Sequence, residues 1–370
     1  MTDRVLTLRE LNRATLARQM LLSRQEVPAL EAVERLAGLQ AQVPAPPYVG
    51  LWTRLRDFRR EDLTHLVEQR LVVRATLMRA TLHLMTAEDY ALLRPALQPA
   101  LTRSMGSAAG KRLEGLDVDG LAGAARAYFE EKPRTFAELR PWLAGIQPDR
   151  DPSALAYAVR THLPLVQVPS GGRWGYPGNA PFTTAESWLG RPLSGSSDPH
   201  ELIRRYLAAF GPATVMDVQK WSGLNRLKDF VKEMKPELRS YRDESGKELL
   251  DLPDAPLPPA EIPAPVRFVP DYDNLVLAHA GRRRMIPDEY RSRIFLSAAR
   301  VRATFLVDGF VQGAWKIEKS KGTATLVIEP FIALSKEDRD ALAEEGEQLV
   351  RFVEDGAKRH EIRFAEQTSP

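Results

Sequence analysis

Apolar residues recur at helical spacing over Leu8 to Met20, Pro28 to Leu36 and Glu61 to Gln69, predicting three amphipathic helices with Pro28 in a first turn. The period changes at Val72. From there to Met85 the chain is apolar and β-branched, and reads as extended. Helical periodicity returns at Leu121 to Glu131 and around Ser153 to Thr161, and again at Glu201 to Phe210 and Asn225 to Lys235. Each later group ends in a strand–turn–strand pattern. Leu165 to Val168 turns at Ser170-Gly171-Gly172 and is expected to return through Arg173 to Tyr176. Leu238 to Arg242 turns at Ser245-Gly246 and returns through Leu249 and Leu250.

Those two groups share an internal repeat. Pro133-x-Thr135-x-x-Glu138-x-x-x-Trp142 recurs as Pro212-x-Thr214-x-x-Asp217-x-x-x-Trp221. In each, the Thr hydroxyl can accept an orphan amide of a first helical turn while the acid three residues on reaches back, so both mark helix starts. Three helices and a hairpin per copy is the arrangement of a winged helix. The N-terminal group repeats the element order without the signature, and is assigned as a third copy on that order alone, with Val72 to Met85 as its wing.

Prolines at 253, 256, 258, 259, 263 and 265 forbid helix and sheet interior, giving a stiff connector. Beyond it, Ala303 to Val307 and Phe310 to Ile317 flank Asp308-Gly309, a strong hairpin signal. Thr325 to Ile328 adds a strand, Ser335-x-x-Asp338 caps a helix running to about Val353, and Glu361 to Phe364 closes the chain. The expected fold class is α+β, divided as 1–112, 113–192 and 193–252 for three winged helices, 253–265 for the connector, and 266–370 for a β-rich C-terminal α/β module.

A length of 370 residues agrees with two to four modules. Lys plus Arg is 52 against 49 for Asp plus Glu, a formal net charge of +3, so any nucleic-acid site must be local. The absence of cysteine excludes disulfides, thiolate zinc sites, iron–sulfur clusters and cysteine nucleophiles. No signal peptide or membrane span is read in the sequence, so a cytoplasmic protein is expected. There is no Walker loop, GxGxxG, HExxH or GxSxG, and the histidines are scattered; neither metal nor cofactor is expected.

Three places offer chemistry. In Gly38-Leu39-Gln40-Ala41-Gln42-Val43-Pro44, Ala29, Val33 and Leu36 form a buried stripe, Gly38 ends the helix and Pro44 forces extension. Gln40 and Gln42 then share a face, and two amides can hold and orient one water without being a strong base. The same amides can instead do no more than satisfy their own loop, and the residues alone leave both readings open.

Tyr48, Trp52, Arg54, Arg56, Arg59, Arg60, Arg74, Arg79 and His83 suit phosphate contacts and base stacking, with Arg79, Thr81 and His83 on one strand face. Asp57, Glu61 and Asp62 among them suit local ion pairs equally well. His279-x-x-Arg282-Arg283-Arg284 can clamp a phosphate, or be neutralised by Asp271 and Asp273. Asp89, in Thr86-x-x-Asp89, is explained by a capping box.

Several stretches together carry a resemblance. They are Gln40-Ala41-Gln42, Pro46-Pro47-Tyr48-x-Gly50-Leu51-Trp52-x-Arg54, Arg79-Ala80-Thr81-Leu82-His83-Leu84, Gly211-Pro212-Ala213-Thr214 through Trp221-Ser222-Gly223, Asp273-Asn274 through His279-x-x-Arg282, and Leu306-x-Asp308-Gly309 through Gly313-x-Trp315. The sequence resembles the winged-helix alkylpurine DNA glycosylases of the AlkZ and YcaQ type, nearer the AlkZ branch.

The resemblance implies three tandem winged helices forming a concave scaffold closed by a β-rich part. It implies excision of N7-alkylguanines and N3-alkyladenines, unhooking of interstrand crosslinks, and self-resistance. The AlkZ branch carries Gln-aliphatic-Gln as its catalytic motif, which falls on Gln40 and Gln42, where the YcaQ branch has Gln-aliphatic-Asp.

A cationic alkylpurine leaves with little need for acid, so two neutral amides suffice. Gln42 is assigned to the water and Gln40 to the sugar or phosphate, roles that can be exchanged. Hydrolysis without strand cleavage is expected. Tyr48, Arg54, Arg79, Thr81, His83, His279, Arg282, Arg283 and Arg284 are expected to contact DNA, with Asp308-Gly309 as a probing hairpin. The partner is double-stranded DNA bearing alkylated purines or crosslinks, met by a monomer at the nucleoid. The competing reading is a non-catalytic winged-helix transcription regulator.

Overall fold

The computed structural model describes residues 4–366 apart from Ser170 and Ala298. β1 (Val5–Leu6), α1 (Leu8–Arg18), α2 (Ala29–Arg35), β2 (Leu39–Gln40), α3 (Pro46–Trp52) and α4 (Arg60–Glu68) lead to a hairpin of β3 (Val72–Thr76) and β4 (Leu82–Thr86). After α5 (Ala87–Leu93) and α6 (Gln98–Ala109) come α7 (Val118–Glu131), α8 (Phe136–Ile146) and α9 (Pro152–His162), then β5 (Leu165–Gln167), β6 (Phe182–Thr184) and α10 (Ala185–Leu189). A second trio, α11 (His200–Phe210), α12 (Val215–Ser222) and α13 (Lys228–Met234), is followed by β7 (Arg239–Asp243) and β8 (Glu248–Asp251). The C-terminal part holds β9 (Arg267–Val269), α14 (Asn274–Leu277), α15 (Arg291–Ile294), β10 (Thr304–Val307), β11 (Phe310–Ser320), β12 (Thr323–Pro330), α16 (Lys336–Val353) and β13 (Arg359–Phe364).

The chain is a mixed α+β protein with three sheets among the described residues, ordered β1-β7-β8, β2-β4-β3-β5-β6 and β13-β12-β11-β10-β9. Both repeated threonines form the expected reciprocal caps. Thr135 and Thr214 accept the amides of Glu138 and Asp217, whose carboxylates accept the threonine amides at 2.8 Å.

The extended run from Val72 to Met85 is a hairpin, not one strand. Arg79 and Ala80 adopt positive φ (54° and 57°) and reverse the chain, so Val72 pairs with Thr86 and Thr76 with Leu82. The second hairpin returns later than expected, through β6. Gly171, Gly172 and Gly175 all have positive φ, and residues 173–176 are a turn whose Trp174 packs edge-on against Tyr48. Ser170, of that turn, lies outside the described residues. Thr86 caps the Asp89 amide at 3.1 Å, but Asp89 turns its carboxylate to Arg205 at 2.8 Å rather than closing a box.

α1 is unusual in burying a polar stripe of Asn12, Arg13, Thr15, Arg18 and Gln19. Asn12 donates to the carbonyls of Arg284 and Gly309, and Gln19 to that of Ala209. Arg18 holds Asp251 through two bonds of 2.6 and 2.7 Å and also donates to Pro256 in the connector. Arg9 and Arg13 donate to the connector carbonyls of Ala260 and Ile262. A proline-rich segment is short of amide donors but keeps its carbonyls, and these arginines satisfy them.

The Arg18–Asp251 pair is 1–2% exposed. Asp251→Ala strands a buried guanidinium, and a loss of about 3–5 kcal/mol is expected in urea unfolding. Arg18→Met with Asp251→Leu should lose less, because no unpaired charge remains.

Candidate active site

Gly38, at φ +83°, ends α2 as expected, and a side chain there would meet the Leu84 carbonyl at 3.0 Å. The chain then enters β2, where Leu39 pairs with Leu84 and Gln40 with His83, and the Ala41 amide donates to the Leu82 carbonyl at 2.7 Å. Ala41 faces the core. Gln40 is 7% exposed, while Gln42 is open to solvent and its Oε1 accepts from the Leu82 amide at 3.4 Å. Both amides therefore flank the first residues of β4, one sequestered and one free to act.

Arg79 is the centre of this site. Its Nη1 donates to the Trp221 carbonyl at 2.7 Å, and its Nη2 to Gln40 Oε1 at 2.7 Å and Asn274 Oδ1 at 3.0 Å. Asn274 in turn donates to the Gly38 carbonyl at 3.3 Å. The approach of the Arg79 backbone needs Gly223 (φ +81°) at the end of α12, where a side chain would lie 3.3 Å from it. Arginine has no acceptor, so the amide atom facing Arg79 is oxygen, and Gln40 presents its NH2 donors away from the guanidinium.

His83 is fully buried. Its Nδ1 faces the Thr81 carbonyl at 3.2 Å and therefore carries the proton, leaving Nε2 as an acceptor 3.5 Å from Arg79. Burial, with the guanidinium beside it, pushes the imidazole down to about 3. Burial and the neighbouring Arg282 bring Arg79 down to about 10.

On the Gln42 side, Arg74 donates to the carbonyls of Ala41 (2.8 Å) and Gln42 (3.2 Å) and to Gln167 Oε1. Burial brings Arg74 to about 10 too. Arg160 stands beside it, donating through Nε to Thr76 Oγ1 at 3.0 Å. Among the described residues, no carboxylate pairs with Arg74, Arg79, Arg160 or Arg282, and no group of three His, Asp or Glu is placed to hold a metal.

Several residues expected to touch DNA are internal. Arg54 is fully buried, forked onto Asp273 at 2.9 Å twice and donating to Gly50 and Gln19 carbonyls. Tyr48 is 2% exposed, its hydroxyl on Thr64. His279 donates to the Phe210 carbonyl at 3.0 Å and is pushed by burial to about 3. Arg284 is consumed by the carbonyls of Phe210 and Pro212 and by Thr15. Asp308 binds Arg9 and Arg13. Gly309 packs so closely on α1 that a side chain would meet Leu16 at 2.5 Å.

The expected probing hairpin is thus docked on α1, and one arginine of the expected clamp, Arg284, is spent inside the fold. Only Arg282, over the Phe295 ring at 3.8 Å, and exposed Arg283, near Asp288, remain outward. Thr81 is half-buried and caps the Met78 carbonyl at 3.1 Å. Hydrogen bonds join Gln40, Arg79 and His83, while Gln42 meets the Leu82 amide and Arg74; sequence reasoning did not single out Arg160, Gln167 or the Trp221 carbonyl. A cation flanking the apolar stripe of α9 was the available signal for Arg160.

His83 is neutral in the fold down to about pH 3, whereas an exposed histidine takes up a proton near 6.5. Below that pH the unfolded chain binds the extra proton, so the stability that burial of neutral His83 contributes is whole above about 6.5 and drains as pH falls toward 3. Unfolding midpoints measured from pH 8 to 4 should drop with a slope up to about 1.4 kcal/mol per pH unit from this group, and His83→Gln should flatten that slope.

A family model for AlkZ-like DNA glycosylases matches residues 33–352. A protein from Streptomyces sahachiroi described as an interstrand DNA cross-link repair glycosylase is 26% identical over 339 residues, covering 85% of this chain and 88% of that one. The solved Streptomyces sahachiroi DNA glycosylase AlkZ superposes with a TM-score of 0.80 at 22% identity, covering 98% of this chain and 100% of that structure. The fold is accordingly that of AlkZ, and a match spanning most of the sequence, with Gln40 and Gln42 inside it, makes this chain a member of the AlkZ-like DNA glycosylase family.

Proposed function

We propose that the chain excises bulky, positively charged purines, N7-alkylguanine and N3-alkyladenine, from duplex DNA and unhooks interstrand crosslinks, serving repair and self-resistance at the nucleoid of the cytoplasm. It acts as a monomer without metal or cofactor. The three helical groups, 1–112, 113–192 and 193–252, are read as winged helices around a concave DNA cleft, with 253–265 as connector and 266–370 as closing module. The cross-link repair description of the Streptomyces sahachiroi relative supports the substrate class. Family membership disfavours the non-catalytic regulator.

The observation that carries the reading is that, among the described residues, no carboxylate pairs with the arginines around the two glutamines. His83, held near 3, has no proton to give a leaving base at neutral pH, and no carboxylate partners the arginines around it. Such a site suits only a base that is already cationic, whose glycosidic bond breaks without protonation. Gln40, its oxygen held by Arg79, offers NH2 donors to a sugar or phosphate oxygen. Gln42, exposed and weakly held at 3.4 Å, is free to accept from a water and aim it at the sugar carbon. Among the described residues no lysine hydrogen-bonds within this cluster, which supports hydrolysis to an abasic site over amine-driven strand cleavage.

With a duplex bearing one N7-methylguanine, or a crosslink joining two N7-guanines, alkali-labile abasic sites should appear, and Gln40→Ala and Gln42→Ala should each lower the single-turnover rate by about 10²–10³. Release from neither duplex by the folded wild type would sink the proposal. The rate should also stay level from about pH 5 to 9, since His83 titrates below and Arg79 above that window. A rate that falls as pH rises through about 6 would reveal a proton donor and overturn this reading.

A further inference from the structure

Two cations, Arg74 and Arg160, lie beside each other near the β3–β4 hairpin, and among the described residues no carboxylate pairs with either. Arg74 is 3% exposed and committed to the carbonyls of Ala41 and Gln42 and to Gln167. Arg160, from the last turn of α9, is half-buried and anchored only through Nε to Thr76 Oγ1. Its two terminal nitrogens have no hydrogen-bond partner among the described residues. Thr76 pairs with Leu82, whose amide donates to Gln42 Oε1. Three consecutive contacts thus lead from Arg160 through Thr76 and Leu82 to the exposed glutamine.

Like charges placed together at a partly buried site repel one another, and each loses hydration on burial. Elsewhere in this protein such costs are met by carboxylates, as Asp251 meets Arg18 and Asp273 meets Arg54. The groups facing Arg160 are Tyr157, Thr76 and Arg74, none of them acidic. The anion that fits this place comes from outside the chain, and the free fork of Arg160 suits the paired oxygens of a phosphodiester.

We infer that Arg160, backed by Arg74, is a phosphodiester clamp that seats the DNA backbone immediately beside the target nucleotide, on the Gln42 side of the site. The clamp rests on reading the chain as a glycosylase of duplex DNA. Because Arg74 also holds the Gln42 carbonyl, the same pair that grips the phosphate fixes the strand carrying the water-orienting amide. Backbone position and water position are thereby set by one rigid unit. Arg160 acts through positioning, and the reacting atoms belong to the glutamines.

The test uses full-length protein and a set of duplexes with one N7-methylguanine, each carrying a single neutral methylphosphonate at a different phosphate near the lesion. In wild type, neutralising one flanking phosphate should weaken binding and base release about ten- to hundredfold, and the same substitution should cost Arg160→Gln less than about twofold. Arg160→Gln keeps a donor for Thr76, and its urea midpoint confirms folding. Arg160→Lys should recover part of the loss. The slope of log affinity against log salt should fall by about one in Arg160→Gln and be unchanged in Arg359→Ala, an exposed arginine of edge strand β13.

Equal sensitivity of wild type and Arg160→Gln at every phosphate, with equal salt slopes, overturns the clamp. Position-specific masking in a protein that releases no base upholds the clamp and overturns the glycosylase reading. Failure of wild type to bind duplex overturns both.

Discussion

The site depends on a guanidinium without a counter-ion. Arg79 sits in a turn at φ 54°, ψ 19°, a conformation costing a non-glycine residue on the order of 1–3 kcal/mol, and its charge is met by three neutral oxygens from three distant stretches of chain. Neutral acceptors satisfy its N–H groups without quenching its field. A carboxylate in the place of Asn274 would do both, and would leave a negative group beside Gln40. The arrangement keeps the local potential positive while the amides around it stay uncharged.

That constraint explains His83. An imidazole that carries its proton on Nδ1 and turns its lone pair toward a permanent cation cannot accept a second proton near neutrality. Its role is to fill the space behind Gln40, opposite which it pairs, with an acceptor that Arg79 tolerates. Glycosidic chemistry usually divides labour between two carboxyl groups. Here the positive charge that those groups would create on the leaving base is supplied by the lesion, under the proposed reading, and the protein contributes orientation.

Much of this was legible in residues whose meaning is local. The threonine caps at 135 and 214, the stop at Gly38 and the Asp308-Gly309 turn all follow from contacts within a few positions in sequence. Misreadings came from charges. Arg54, His279 and Arg284 look like surface cations because their partners, Asp273 and the carbonyls of Phe210 and Pro212, lie 69 to 219 residues away. The hairpin at Arg79 was hidden for a different reason: no residue type there favours positive φ, and tertiary hydrogen bonds impose it. Arg160 was missed because an arginine at a helix end already has an ordinary explanation in the helix dipole.

Those long separations also fix how the site is assembled. Gln40 and Arg79 come from the first quarter of the chain, Trp221 from the second helical trio and Asn274 from beyond the connector, yet all four meet at one guanidinium. What brings them into register is α1, whose arginines and Asn12 bind β8 through Asp251, the connector through Pro256, Ala260 and Ile262, and the C-terminal module through Arg284 and Gly309. Apolar packing alone would allow these parts to slide, since it is non-directional. Hydrogen bonds to specific carbonyls do not. Until the C-terminal module docks, Arg79 lacks Asn274, so the set of acceptors around its guanidinium is complete only in the fully folded chain, and α1, which ties these parts together, helps decide where that set forms.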